Sequence, residues 1–391
     1  MKLNRDPAPD YAAAGDLLRV LCVFFVAWYH VWQQSWLFPR FTIGSVTVNL
    51  TPAVRAGYIF VDLMLMLSGF LLYLPYANGR ERPAREFYTR RALRILPSYW
   101  FCLLVMLAFA LADPAFSKPG ELVKDLLAHL SFTHNLFPVS YHLTRLNVVL
   151  WTLAVEVQFY LILPLLAPLF RKRPILVYAL LCLAAFGVRA LIAARVEDTT
   201  LWVNRLPCML DVYANGMLAA HIYARLAERQ ERRRLVAVLA LLLAAAALWG
   251  IWRIVSDQAQ IYDRELIRRG QMERRWLFSL CGAVFLCAGS LAPRLLRALF
   301  SNPVTRFLAG VSYNYYIWHQ WLAVKLKVWR IPPYQAEVNP NMEGEQPWQT
   351  QYTLICLLGA FVLAVLLTYG IEKPCAARGR RLANRRNVTK R

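Results

Sequence analysis

The chain has 391 residues, of which 58% are hydrophobic and only 17% charged, and its mean hydropathy is positive. That balance excludes an ordinary soluble enzyme, whose surface carries more charge. The formal net charge of +22 would suit a nucleic-acid partner. The basic residues cluster in short stretches between apolar runs, however, as in the cytoplasmic loops of membrane proteins, so the expected partner is the lipid bilayer and not nucleic acid.

A bilayer core about 30 Å thick needs about 20 apolar residues per spanning helix. Ten runs meet this, at 16–36, 54–76, 95–113, 147–170, 174–194, 204–223, 235–255, 276–292, 304–328 and 352–371. The expected fold is all-α: a polytopic membrane helical bundle of about ten transmembrane helices. It forms one transmembrane domain over 1–375, with a basic cytoplasmic tail over 376–391. The N-terminal MKLNRDPAPDYAAAGDLLR lacks an early apolar core and does not read as a cleavable signal peptide. The eight cysteines sit mostly in apolar runs without a CxxC pair, so they read as small hydrophobes. No metal-ligand pattern is present.

Loop charge sets the orientation. Residues 80–94 carry six arginines against two glutamates, Arg171 to Arg173 follow the fourth run, residues 225–234 carry five arginines against two glutamates, and seven basic residues follow Pro374. The positive-inside rule then places both termini in the cytoplasm. The longer loops, 37–53, 114–146, 256–275 and 329–351, fall outside. The 256–275 loop disagrees mildly, with five arginines against four acids.

Ionisable residues at membrane depth are costly and therefore suggest function. The first run holds Asp16, Arg19 and His30. Eleven residues separate Arg19 from His30, which puts both on one helix face about 16 Å apart. Arg19 could bind an anionic ligand at the cytoplasmic mouth or simply snorkel to the interface. His30 could act as a base or make a helix–helix hydrogen bond. The second run holds Asp62 and Ser68-Gly69, where the glycine suits close helix packing. The fourth holds Trp151, Glu156 and Tyr160, and a carboxylate at that depth requires a partner. The ninth holds Tyr313, Tyr316 and His319, the last two on one face. Such residues suit a polar cavity crossing the membrane. Periodicity leaves two classes open, a group transferase with a cytoplasmic donor or a proton-coupled membrane transporter.

Six motifs taken together resemble acyltransferase family 3, the multi-spanning membrane O-acyltransferases. They are DLLRVLCVFFVAWYH, FVDLMLMLSGFLL, FYTRRALRILPSYW, LWTLAVEVQFYLILPLL, GVSYNYYIWHQWL and the closing IEKP, spread in the family's order over nearly the whole chain. The chain departs from the family's pattern at Leu17, Val149, Ala154 and Val157, which leaves Glu156 as the carboxylate of its motif.

The resemblance implies transfer of an acyl group, acetyl above all, from cytoplasmic acyl-CoA to a hydroxyl of an extracytoplasmic or membrane-associated acceptor. That acceptor is expected to be a carbohydrate, with a small natural product such as a macrolide as the alternative. The protein would be a multi-pass protein of the bacterial cytoplasmic membrane. Acetyl-CoA would be a donor substrate, with no tightly bound cofactor. His30 would be the general base, or would receive the acyl group transiently, with Glu156 orienting it. Arg19, Arg90, Arg91 and Arg94 would bind the CoA phosphates, unless the last three only anchor topology. Ser68, Tyr313 and Tyr316 would donate to the oxyanion or the acceptor, with Trp151 and His319 lining the site. Asp16, Asp62, Gly69, Glu372 and Pro374 would be structural parts of the motifs. A separate extracytoplasmic partner is expected if a distant acceptor needs a second domain.

Overall fold

The computed structural model of the protein describes residues 12–80, 83–113, 118–228, 233–334, 340–343 and 346–379. The chain termini, and with them most of the basic tail, lie outside the described residues. Among the described residues ten long helices follow one another: α1 (Ala14–Ser35), α2 (Phe60–Ala77), α3 (Ala84–Leu111), α4 (Trp151–Lys172), α5 (Pro174–Arg195), α6 (Leu210–Glu228), α7 (Arg233–Gln258), α8 (Arg264–Leu291), α9 (Pro303–Val328) and α10 (Gln346–Leu367), the last ending in a π turn over Thr368–Glu372. Each of the ten apolar runs read from the sequence coincides with one of them. Seven, α1 to α5, α7 and α10, are long and apolar enough to cross a membrane. The other three carry more polar residues along their length.

Large apolar side chains face outward at helical spacing. Leu161, Leu165 and Leu169 of α4 are exposed, as are Leu354, Leu358 and Val362 of α10. Stripes of this kind belong against lipid rather than water. The protein is a multi-pass membrane protein of the all-α class.

Two boundaries differ from the sequence reading. The arginine-rich stretch before the third run is helix, not loop: α3 starts after Pro83 and runs for 28 residues. Arginine is a good helix former, and Glu86 pairs with Arg90 one turn later at 2.7 Å. The long 256–275 loop is also mostly helix. Asp263 caps α8 by accepting from the backbone N–H groups of Glu265 and Leu266, both at 2.9 Å, so only residues 259–263 connect α7 to α8. A cap of this sort satisfies the orphan donors of a first helical turn.

The chain forms two compact units. The first holds residues 1–29, 39–81 and 155–309, the second residues 30–38, 82–154 and 310–391. In the first, α2 packs directly on α6. A Cβ on Gly69 would lie 2.5 Å from the backbone oxygen of Tyr213, and one on Gly216 would collide with the backbone oxygen of Met66. Glycine at both positions lets the two backbones approach, the small-residue device of membrane helix pairs. Two buried ion pairs brace this unit: Arg275 with Asp62 at 3.1 Å and Arg189 with Asp211 at 2.6 Å. Both arginines also donate to the carbonyl of Cys208.

The second unit contains α3, most of α9, and α10. Its apolar core joins Val31, Ala323, Leu326, Trp348, Tyr352 and Cys356. Tyr352 donates to the Ala323 carbonyl at 2.6 Å, and Asn147 Nδ2 donates to the Ile317 carbonyl at 2.8 Å, which ties Asn147 to α9.

Candidate active site

The second unit carries a histidine pair. His30 Nδ1 lies 2.9 Å from His319 Nε2, and the other nitrogen of His319, Nδ1, lies 2.7 Å from the backbone oxygen of Tyr316. A carbonyl oxygen can only accept, so His319 Nδ1 carries the hydrogen. In the neutral ring His319 Nε2 is then an acceptor, and His30 Nδ1 must donate to it. The basic nitrogen of His30 is therefore Nε2. His319 is buried and held by its own helix, so it fixes the tautomer of His30 as an orienting partner fixes a catalytic base.

The expected hydroxyl donors are found with their hydrogens already engaged. Tyr313 donates to the Ile95 carbonyl at 3.0 Å and Tyr316 to the Val149 carbonyl at 3.4 Å. Both tie α9 to neighbouring backbone, and each would have to leave that acceptor to reach an oxyanion. Trp151 stands edge-on to Tyr141 at a ring separation of 6.4 Å.

In the first unit, Glu156 is clamped by two hydroxyls. Its Oε1 accepts from Ser68 at 2.9 Å and from Tyr160, one turn further along α4, at 2.5 Å. Ser68 thus serves the carboxylate, and the close crossing at Gly69 sets its position. Tyr160 belongs to this cluster as much as Ser68 does. Its signal in the sequence was the four-residue spacing from Glu156, which stacks the two on one helix face.

Of the expected phosphate-binding arginines, Arg19 is half-buried on the first turns of α1. Arg90 and Arg94 are exposed on the first turns of α3, and Arg91 is half-buried there. The Arg90–Glu86 pair is exposed, so it binds the guanidinium weakly, at about 0–1 kcal/mol, and leaves it able to exchange partners.

The motif residues fall into structural roles. Asp16 accepts from Ser301 at 2.8 Å, and Asp62 is the buried partner of Arg275. Glu372 Oε2 accepts from Asn314 Nδ2 at 2.9 Å, with the charge of Arg94 acting on it. Pro374 follows the π turn, half-buried. Sequence reasoning missed Arg275 and Arg189, because nothing local marks the partner of a buried arginine. Among the described residues no group of three or more His, Cys, Asp or Glu is placed to hold a metal ion.

The second unit thus carries an oriented histidine pair and the first a clamped carboxylate, each on helices with lipid-facing apolar stripes. The chain belongs to the Acyltransferase domain family, acyltransferase family 3, whose profile matches residues 13–370, as the six motifs led us to expect. It is similar to the O-acetyltransferase OatA of Staphylococcus aureus (strain NCTC 8325 / PS 47), with 25% identity over 342 residues, covering 81% of this chain and 51% of that protein. It is also similar to the peptidoglycan O-acetyltransferase OatA of Listeria monocytogenes, with 23% identity over 406 residues, covering 97% of this chain and 58% of that protein. The chain thus spans little more than half the length of these curated relatives. No solved structure matches it.

Proposed function

We propose that the protein is a membrane O-acetyltransferase that moves an acetyl group from cytoplasmic acetyl-CoA to a hydroxyl of a cell-envelope carbohydrate. The observation that carries this reading is the His30–His319 hydrogen bond in a chain of an acyltransferase family, because it presents His30 Nε2 as the basic nitrogen. The names of the relatives support an acetyl group and a glycan acceptor. The bacterial cell membrane is the expected location.

In this reading the acceptor oxygen attacks the thioester carbonyl carbon while His30 Nε2 takes its proton. The new C–O bond forms, the C–S bond breaks, and the imidazolium returns the proton to the departing thiolate of CoA. His319 holds the imidazolium by accepting from its Nδ1–H, a charge-assisted hydrogen bond. Arg90, Arg91 and Arg94 on the first turns of α3 are candidates for the CoA phosphates, and Arg19 on α1 is a candidate considered by itself, since guanidinium suits phosphate oxygens. The Ser68–Glu156–Tyr160 cluster keeps a carboxylate in place within the bundle.

The test is to reconstitute the purified protein in lipid nanodiscs with acetyl-CoA and soluble peptidoglycan fragments. Release of CoA thiol matched by acetyl ester on the sugar supports the proposal. Thiol release without ester on any glycan offered would place the acceptor elsewhere, and no thiol release would remove acetyl-CoA as donor.

A further inference from the structure

Between α1 and α2 the chain forms a two-stranded antiparallel sheet, β1 (Arg40–Ile43) and β2 (Val46–Asn49), turned at Gly44 with φ 62°. Its register pairs Arg40 with Asn49, Phe41 with Val48, Thr42 with Thr47 and Ile43 with Val46. Directly opposed residues share a face, and successive residues alternate faces. One face of the hairpin is therefore made only of Phe41, Ile43, Val46 and Val48 positions. The other is made only of Arg40, Thr42, Thr47 and Asn49, with the Thr42 and Thr47 hydroxyls 3.2 Å apart.

Among the described residues nothing covers the apolar face. Phe41 is 50% exposed, Val46 62% and Val48 43%. A lone two-stranded hairpin is marginal in water and needs a partner for its apolar side. The chain fixes where that partner must be. The hairpin leads through the short helix Thr51–Arg55 and one 3-10 turn into α2. Five helical residues advance about 8 Å, so the hairpin sits close to the end of a helix long and apolar enough to cross a membrane, and the headgroup layer is the lipid environment within its reach. That layer is where segregated apolar and polar faces find both of their solvents.

We infer that this hairpin is an interfacial membrane anchor. It lies flat at the lipid surface, with Phe41, Val46 and Val48 turned into the acyl boundary and Arg40, Thr42 and Thr47 towards water and phosphate headgroups. The occupant of the apolar face is lipid. The anchor fixes the depth at which the α1–α2 connection meets the bilayer.

The test places a benzoylphenylalanine photocrosslinker, one position at a time, at 41, 42, 47 and 48 in the full chain, reconstituted in vesicles of phosphatidylcholine and phosphatidylglycerol. All four positions are exposed, so the substitutions leave the helical bundle intact, as a melting curve of each variant checks. Irradiation followed by intact mass analysis should give lipid adducts several-fold more abundant at 41 and 48 than at 42 and 47. Equal adducts at all four positions, or none, would overturn the inference. So would adducts at 41 and 48 with a second copy of the chain in place of lipid.

Discussion

His30 Nδ1 donates to His319 Nε2 across 2.9 Å, although the two residues stand 289 positions apart. Because the Tyr316 carbonyl holds the far side of His319, the pair has one neutral arrangement, with the basic nitrogen at His30 Nε2. His319 is thus a positioning residue. Its replacement by Ala should lower kcat about ten- to a hundredfold, the worth of one charge-assisted hydrogen bond of about 1.5–3 kcal/mol, while KM for acetyl-CoA stays constant. His319→Gln, whose side-chain oxygen can still accept from His30, should recover part of the loss. A steady-state comparison of the three proteins reads the split. A rise in KM with unchanged kcat would place His319 in donor binding instead.

Glu156 is an acceptor for two hydroxyls. Glu156→Ala removes the acceptor shared by the Ser68 and Tyr160 hydroxyls, and a hydrogen bond to a charged group contributes about 1.5–3 kcal/mol. Glu156→Gln keeps a carbonyl oxygen in the clamp and should melt much closer to the parent protein. Thermal unfolding in detergent, followed by tryptophan emission, separates the two. Equal destabilisation by both substitutions would show that the negative charge matters and not the hydrogen-bond geometry.

The α2–α6 crossing depends on its glycines. Gly69→Ala places a methyl group 2.5 Å from the Tyr213 carbonyl oxygen, and such overpacking costs about 1–3 kcal/mol. Gly310→Ala is the control. A Cβ there meets nothing within 4 Å, and alanine is the better helix former by about 1 kcal/mol. The first variant should melt below the parent protein and the second at or above it.

A pH dependence arises in the connection between α3 and α4, outside both helices. His134 stacks on His129 with ring centroids 4.0 Å apart, and Asp125 lies 3.0 Å from His129 Nδ1. Burial, and after it the neighbouring His129, push the pKa of His134 from 6.5 down to about 3. The folded chain therefore keeps this ring neutral at pH values where the unfolded chain protonates it. Stability should fall as pH drops below about 6.5, by up to about 1.4 kcal/mol per unit, until the folded-state value is reached. In His134→Phe, which preserves an aromatic stack, melting temperatures between pH 7 and pH 5 should vary less than in the parent protein. An unchanged slope would exclude His134 as its source.

Each hydropathy run coincides with a long helix among the described residues, and seven of these are apolar enough to cross a membrane. Hydropathy misjudged where two of them begin. The arginines of α3 and the mixed charges at the start of α8 look like loop by polarity, but both segments are helical through an i,i+4 ion pair and an Asp263 cap. The polar residues of these helices were legible as types. Their partners were not. Ser68 meets Glu156 over 88 positions and Arg275 meets Asp62 over 213, distances at which no local pattern carries information. The hydroxyls of Tyr313 and Tyr316 read as oxyanion donors by type, yet packing turns them to backbone carbonyls. The two faces of the hairpin are written in its alternation and became visible only once its register was known.

The most direct test concerns His30. The purified His30→Ala protein, reconstituted beside the parent with acetyl-CoA and a glycan acceptor and shown to melt at a similar temperature, should lose acetyl transfer by about a hundred- to ten-thousandfold, the contribution of a positioned general base. Acetyl ester formed by that variant at the parental rate would contradict the account.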